Sequence, residues 1–546
     1  MATLFTGGSV FDGHRHLPGH GLLVDDQSVV AVLDPGQLDT LDHGDHDVVD
    51  LAGGLVSPGF TDAHCHPIQG GLERMQCDLT DGGTREEYLA LVRAYAARHD
   101  GPWVTGGGWA MAAFPGGTPS AADLDAVVPD RPVFLPNRDH HGAWVNSRAL
   151  ELAGITAETP DPHDGRIERL PDGSPQGTLH EGAMDLVARL QPALPPEQYA
   201  AGLVEGQRYL FSLGVTAWQD AIVGAYDGMA DTGSTYLDAV ANGDLVADVV
   251  GALWWERGRG LAQIPGLVER RRSQTGGRFR ATSVKIMQDG VCENFTAAML
   301  TPYLDGHGAE TGNAGHSFVD AEELREVVVA LAAEGFQVHV HCIGDRGTRE
   351  ALDAFAAARD AGHGADLRHH IAHIQVVHPD DVPRFAELGV AANAQALWAC
   401  HEPQMDELTI PFLGDERSTW QYPFGGLHRA GARLVMGSDW PVTSPDPLAA
   451  IHTAVTRTAY GEEGLAGNDP FLAEQALDLT TAFAAYTSGS AWINGRDRRD
   501  GAGVLAPGHV ADLVVLDRDP FAGPPDEIGA TRVASTWVGG RRVSGG

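Results

Sequence analysis

The chain has 546 residues, 43% of them hydrophobic, with 74 acidic against 37 basic side chains and a formal net charge of -37. That supplies a large buried core, as one big domain with a satellite or two to three ordinary domains, and it excludes a disordered or fibrous chain. So acidic a balance repels phosphate backbones and anionic membrane surfaces, which sets aside nucleic acid and membranes as partners.

The start of the chain lacks a basic region followed by an apolar one, and no apolar run reaches membrane-spanning length. Residues 1 to about 57 carry short alternating or apolar segments, such as Gly21-Leu22-Leu23-Val24 and Ser28-Val29-Val30-Ala31-Val32, which read as small antiparallel strands. A first buried strand follows at Pro58 to Ala63 and ends in His64-Cys65-His66. The span from about 67 to 205, rich in Gly and Pro, reads as an insertion. It holds a helix behind the capping box Thr84 to Glu87, a further apolar run at Arg131 to Leu135, and a hairpin around Asp172-Gly173. Seven more strands are expected at 214–219, 247–253, 282–286, 336–341, 370–374, 390–395 and 433–439, with a well-signalled crossover helix from Asp320 to a stop at Gly335. Eight strands alternating with helices over 58–490 point to an α/β fold, a (β/α)8 TIM barrel with its active site at the C-terminal strand ends. The alternative, an open doubly wound sheet, lacks a glycine-rich phosphate loop after any early strand. The strand-like ends, 1–57 and 491–546, are expected to build one small β-sandwich from both termini. Five scattered cysteines without a C-x-x-C fit reduced thiols and a cytoplasmic protein.

In an extended strand His64 and His66 point to one side and Cys65 to the other. With 25 histidines in the chain, chance alone gives about one H-x-H. Three occur, the others being His14/His16 and His339/His341. The first pair gains weight from its company, because other strands end in Lys285, His341, His373 and Asp439. Nitrogen and oxygen ligands converging at one barrel mouth suit zinc or a similar divalent ion. His339 lies deeper in the barrel and is expected to hydrogen-bond there, while Cys65 and Cys342 turn away from the site.

The stretches Pro58 to His66, Val284 to Gly290, Val340 to Asp345, His373-Ile374-Gln375, Gly437 to Val442 and Pro507 to Asp517 resemble the amidohydrolase superfamily, within it the family-3 amidohydrolases related to N-substituted formamide deformylases. The resemblance covers nearly the whole chain. It implies a hydrolase of the carbon–nitrogen bond of a small amide, formamide or cyclic amide, acting by metal-activated water. It also implies that His64, His66 and Asp439 hold one metal and His341 and His373 a second, with Asp439 as proton shuttle and Asp439 and His341 as the catalytic residues. Lys285 would bridge the ions as a carboxylated lysine or stay unmodified beside a single metal. Many relatives carry Glu before the histidine of the sixth strand, where this chain has Ala372.

His141, in an H-x-x-W-x-N pattern that also resembles the family, is expected to reach the substrate, with Trp109 and Trp398 as pocket walls. His140 is read as a surface residue, Glu181 as a structural salt bridge or a site residue, and Asp289 as a loop-shaping residue. An esterase or phosphotriesterase-like hydrolase on the same site is the alternative function, and a non-catalytic metal-binding relative another. A homodimer is left open.

Overall fold

In the computed structural model, which describes residues 2–42, 44, 46–226, 228–364, 366–461 and 469–545, all eight expected barrel strands form. They are β1 (Phe60–Cys65), β2 (Val215–Val223), β3 (Asp248–Trp254), β4 (Phe279–Met287), β5 (Gln337–Cys342), β6 (His370–His373), β7 (Ala391–Ala394) and β8 (Leu434–Met436). Each pairs in parallel with the next in chain order. Both faces are buried, as a sheet covered outside by helices and filled inside by side chains requires. In β5, Val338 and Val340 join the apolar core under the helices, while His339 turns inward to the ring of His64.

The ring closes between β8 and β1. The Asp439 N–H donates to the His64 carbonyl at 2.7 Å and the His66 N–H to the Trp440 carbonyl at 2.7 Å. Asp62 clasps the same seam, its carboxylate accepting from the backbone N–H groups of His64 and Ser438, both at 3.0 Å, and from the Ser438 hydroxyl at 2.6 Å. Gly437 is what lets the strands approach: a Cβ there would lie 2.5 Å from the His64 nitrogen and 2.9 Å from Asp62 Oδ1. Gly437→Ala is therefore expected to destabilise the protein by about 2–3 kcal/mol through overpacking, read as a lower midpoint of urea unfolding; an unchanged midpoint would remove this account of the seam.

The helix signals act as read. Asp320 caps the helix Ala321–Ala333, and Gly335 follows it with φ +76°. Thr84 and Glu87 make both bonds of a capping box on Arg85–Ala96. Between β1 and β2 the chain forms α1 (Pro67–Met75) and α2 (Pro196–Ser212), which pack so closely that a Cβ on Gly71 would meet the Gly202 carbonyl at 1.9 Å. Between these helices lies a six-stranded sheet, ordered Gly165–Arg169, Pro175–Glu181, Gly142–Val145, Val133–Pro136, Val104–Gly107 and Cys77–Asp78. The hairpin at Asp172-Gly173 is its outer edge, turning on Gly173 with φ +87°.

The chain ends meet in a sandwich. Arg541–Ser544, Val533–Val538, Leu513–Leu516, Leu55–Pro58, Ser9–Phe11 and His16–Pro18 form one sheet; Ser28–Leu33, Gly21–Asp25, Thr3–Thr6 and Asp47–Asp50 form the other. Phe5, Leu22, Val56, Leu513 and Val515 fill its core. The N-terminal strands are not all antiparallel: Thr3–Thr6 pairs in parallel with Asp47–Asp50, and Ser9–Phe11 with Leu55–Pro58. The long intervening chain allows the return crossover that parallel pairing needs. Among the described residues no helix is long and apolar enough to cross a membrane.

Candidate metal centre and active site

Strand alternation delivers His64 and His66 to one side of β1, with Cys65 buried on the other. The Nε2 atoms of His64 and His66 lie 3.0 and 3.1 Å from Asp439 Oδ1. One ligand-type atom from each of these three residues falls within 4.8 Å of the others, the spacing a single metal ion needs. Lys285 Nζ, from β4, is 3.4 Å from His64 Nε2. His373 Nδ1 is 3.9 Å from Asp439 Oδ2, and the His341 and His373 rings are 4.4 Å apart. All six residues, with His141, line one cavity of about 560 Å³ at the C-terminal ends of the strands.

The backbone around the site is unusual. His373, Asp439, His140 and Glu181 have φ of +76°, +58°, +63° and +50°, left-handed conformations that non-glycine residues hold only where the surroundings enforce them. At His373 the enforcing contact is its N–H on Gln395 Oε1 at 2.7 Å. Gln395 donates in turn to Asn393 at 3.0 Å, and Asn393 to the Ala63 carbonyl at 3.0 Å. Below His64, His339 Nε2 lies 2.9 Å from its Nδ1, and the His370 ring sits 3.9 Å from that of His339. This polar layer orients the upper ring nitrogens.

Burial sets the charges. It pulls the Lys285 amine down to about 7 and the His64 ring to about 3, and it holds His341 and His373 well below the usual imidazole range. Neutral imidazole is the ligand form of histidine. Burial would push Asp439 up, but His64, His66 and His373 outweigh it and keep the carboxyl well below its ordinary value. Among the described residues, His66 Nδ1, His341 Nδ1 and His373 Nδ1 are buried without a partner in hydrogen-bond geometry. Neutral nitrogen donors and a carboxylate, several of them unsatisfied, fit a divalent cation in chemical character.

His141 projects from the insertion with its Nδ1 2.8 Å from Glu181 Oε1. Burial alone would discharge both, but each holds the other ionised: His141 is raised and Glu181 lowered. Thr296 Oγ1 donates to the same Glu181 oxygen at 2.8 Å. Glu181 is thus the partner that fixes His141, while Asn146 of the same motif caps the helix Ser147–Ala153.

Two expectations are corrected. Trp109 is not a pocket wall: it is fully buried in the insertion core against Phe114 and Trp144, with its Nε1 donating to the Leu135 carbonyl at 2.8 Å. His140 is not a surface residue, since its side chain is 15% exposed, bonds Gln69 and lies 3.4 Å from Glu73. Trp398 stacks on His373 at 5.4 Å but lines an adjoining cavity rather than the one holding the cluster. Asp289 shapes loops as read, accepting the N–H groups of Ala298, Ile343 and Gly344, and its Oδ1 lies 3.3 Å from His341 Nδ1. Ala372 sits between His341 and Asn393 in strand register, so this position beside His373 carries no carboxylate.

The amidohydrolase family model matches residues 47–544. The chain is 30% identical to Protein LONG AFTER FAR-RED 3 of Arabidopsis thaliana over 555 residues, covering 99% of this chain and 91% of that one. It is 28% identical to N-substituted formamide deformylase of Arthrobacter pascens over 508 residues, covering 91% and 89%. The crystal structure of an uncharacterized metal-dependent hydrolase from Pyrococcus furiosus superposes with a TM-score of 0.69 at 25% identity, covering 95% of this chain and 100% of that one. The chain therefore belongs to the amidohydrolase family and is a hydrolase.

Proposed function

We propose that this hydrolase is metal-dependent and cleaves the carbon–nitrogen bond of a small amide, formamide or cyclic amide. The observation that carries the reading is the convergence of His64 Nε2, His66 Nε2 and Asp439 Oδ1 within 4.8 Å, on one cavity with Lys285, His341 and His373. His64, His66 and Asp439 would hold one divalent ion, zinc by donor type, and His341 and His373 a second, with Lys285 beside them as amine or carbamate. When bound, the metal supplies a Lewis acid that lowers the pKa of water and polarises a carbonyl.

The chain's own groups do the rest. Asp439 takes the proton of the attacking water and passes it to the leaving nitrogen, so that water and amide become acid and amine. His141, held as a donor by Glu181, meets the carbonyl oxygen as it gains negative charge. The insertion contributes His140, His141 and Glu181 to the lining of the cavity. The kinship to a formamide deformylase and to a metal-dependent hydrolase supports both bond class and metal.

A panel of N-formyl amines, cyclic amides, carboxylic esters and phosphotriesters separates the readings. Turnover of amides at least about 100-fold faster than of esters or phosphotriesters is expected, a discrimination of roughly 3 kcal/mol. Ester or phosphotriester turnover without amide turnover would replace the reading, and an inert, metal-loaded protein would favour a non-catalytic relative.

A further inference from the structure

A second cavity, of about 460 Å³, adjoins the catalytic one: Asp139 and Val442 belong to the walls of both. Its inner end reaches the reaction centre, because Trp398 stacks on His373 and Trp440 follows Asp439 in the chain. Its lining includes the aromatic rings of Tyr209, Trp398, Tyr422 and Trp440. It is also acidic. Six carboxylates line the chamber against two arginines; of these, Arg74 is engaged with Glu205 at 3.0 Å and lies over the Tyr209 ring, and Arg138 is half-buried next to Asp139.

Two of the carboxylates lack a cation. Glu73 is met by the Gln69 amide at 3.0 Å and by His140 at 3.4 Å, and Glu293 by the Thr409 hydroxyl at 2.9 Å; among the described residues neither has a Lys or Arg in ion-pair reach. Burial accordingly pushes Glu73 up to about 8 and Glu293 to about 7. An independent feature points the same way. Gln375, 2% exposed in the chamber wall, spends its amide N–H on Gln421 at 3.0 Å, and its side-chain carbonyl oxygen has no hydrogen bond among the described residues. Aromatic faces, carboxyl groups without a cationic partner and the unbonded Gln375 amide oxygen together complement a group that carries both positive charge and N–H donors. An ammonium seated beside Glu73 and Glu293 would draw both back to the ionised form, an anion would disfavour that form further, and a hydrocarbon would leave the acceptors unmet.

We propose that this chamber receives a protonated amine borne by the substrate, so that the preferred amides carry a cationic nitrogen away from the scissile bond. The proposal rests on the amide-hydrolase reading of the adjoining cavity.

The test compares N-(4-aminobutyl)formamide with N-pentylformamide, which differ by an ammonium in place of a methyl group. Affinity is read by calorimetry, and KM as well wherever cleavage occurs. The ammonium compound is expected to bind at least about tenfold more tightly in wild type. In Glu73→Gln/Glu293→Gln that preference is expected to fall to about threefold or less, with N-pentylformamide binding unchanged. Should the double variant fail to melt cooperatively, Glu293→Gln alone is to lower the preference at least threefold. Equal affinities in wild type would overturn the proposal. So would a preference that survives loss of the carboxylates but vanishes in salt, which marks general attraction to a chain of net charge -37. Calorimetry decides the chamber even if neither compound is cleaved, and cleavage of both with equal affinity sinks the chamber while sparing the hydrolase.

Discussion

Asp439→Asn is expected to lower kcat/KM for an amide substrate by about 1,000-fold, in the range a positioned proton-transfer group supplies. Three features make the substitution informative. Asparagine keeps the size of the side chain and one oxygen at the position that lies 3.0 and 3.1 Å from His64 and His66. It removes the negative charge and the basicity. It also tolerates the left-handed backbone at this residue, φ +58°, better than almost any other non-glycine side chain, so the closing contact from the Asp439 N–H to the His64 carbonyl is kept. Kinetics at saturating divalent metal, with the unfolding midpoint as a check on the fold, measure the effect. A loss below about tenfold would remove Asp439 from the proton-transfer role.

The largest stability effect is expected far from the chemistry, at Arg496. Its side chain is 2% exposed, and its guanidinium reaches Asp512 at 2.7 Å, Asp500 at 3.1 Å and Asp248 at 3.7 Å. Asp248 starts β3 at the foot of the barrel, and Asp512 immediately precedes the sandwich strand Leu513–Leu516. One buried cation therefore ties the two domains. Asp248 keeps Arg280 and Arg499 as partners, but among the described residues the Asp512 side chain is left with only the Gly539 N–H, at 2.7 Å, to meet it. Arg496→Met should cost about 3–5 kcal/mol in urea unfolding, the usual penalty for stripping one partner from a buried pair, while folded protein retains its kcat. A cost under about 1 kcal/mol would show that the sandwich docks by apolar contact alone.

The barrel was legible because its strands carry their signal locally. In β5, alternation of Gln337, His339 and His341 with Val338, Val340 and Cys342 marks an inner and an outer face without tertiary information. The same arithmetic separates His64 and His66 from Cys65. The insertion was legible only in part, because its strands are short and glycine-bearing: Cys77–Asp78 has two residues and Val104–Gly107 ends in two glycines, too little for a period to appear. Trp109 misled because an aromatic in a Gly-rich stretch carries no sign of the side it faces. His140 misled because φ +63° reverses the direction expected of the residue beside His141. The support of His373 by Gln395, and of His64 by His339, joins residues from separate strands, and such pairings exist only once the barrel has closed.

The most direct test of the central claim is a titration of zinc back into chelated protein, with the cleavage rate of an N-formyl amine followed against metal bound per chain. No measurable turnover is expected in the stripped protein, then a rise with occupancy to a plateau at one or two ions per chain, and loss of that binding in a His64→Ala/His66→Ala variant. A rate that does not change as metal is removed and restored would contradict the claim.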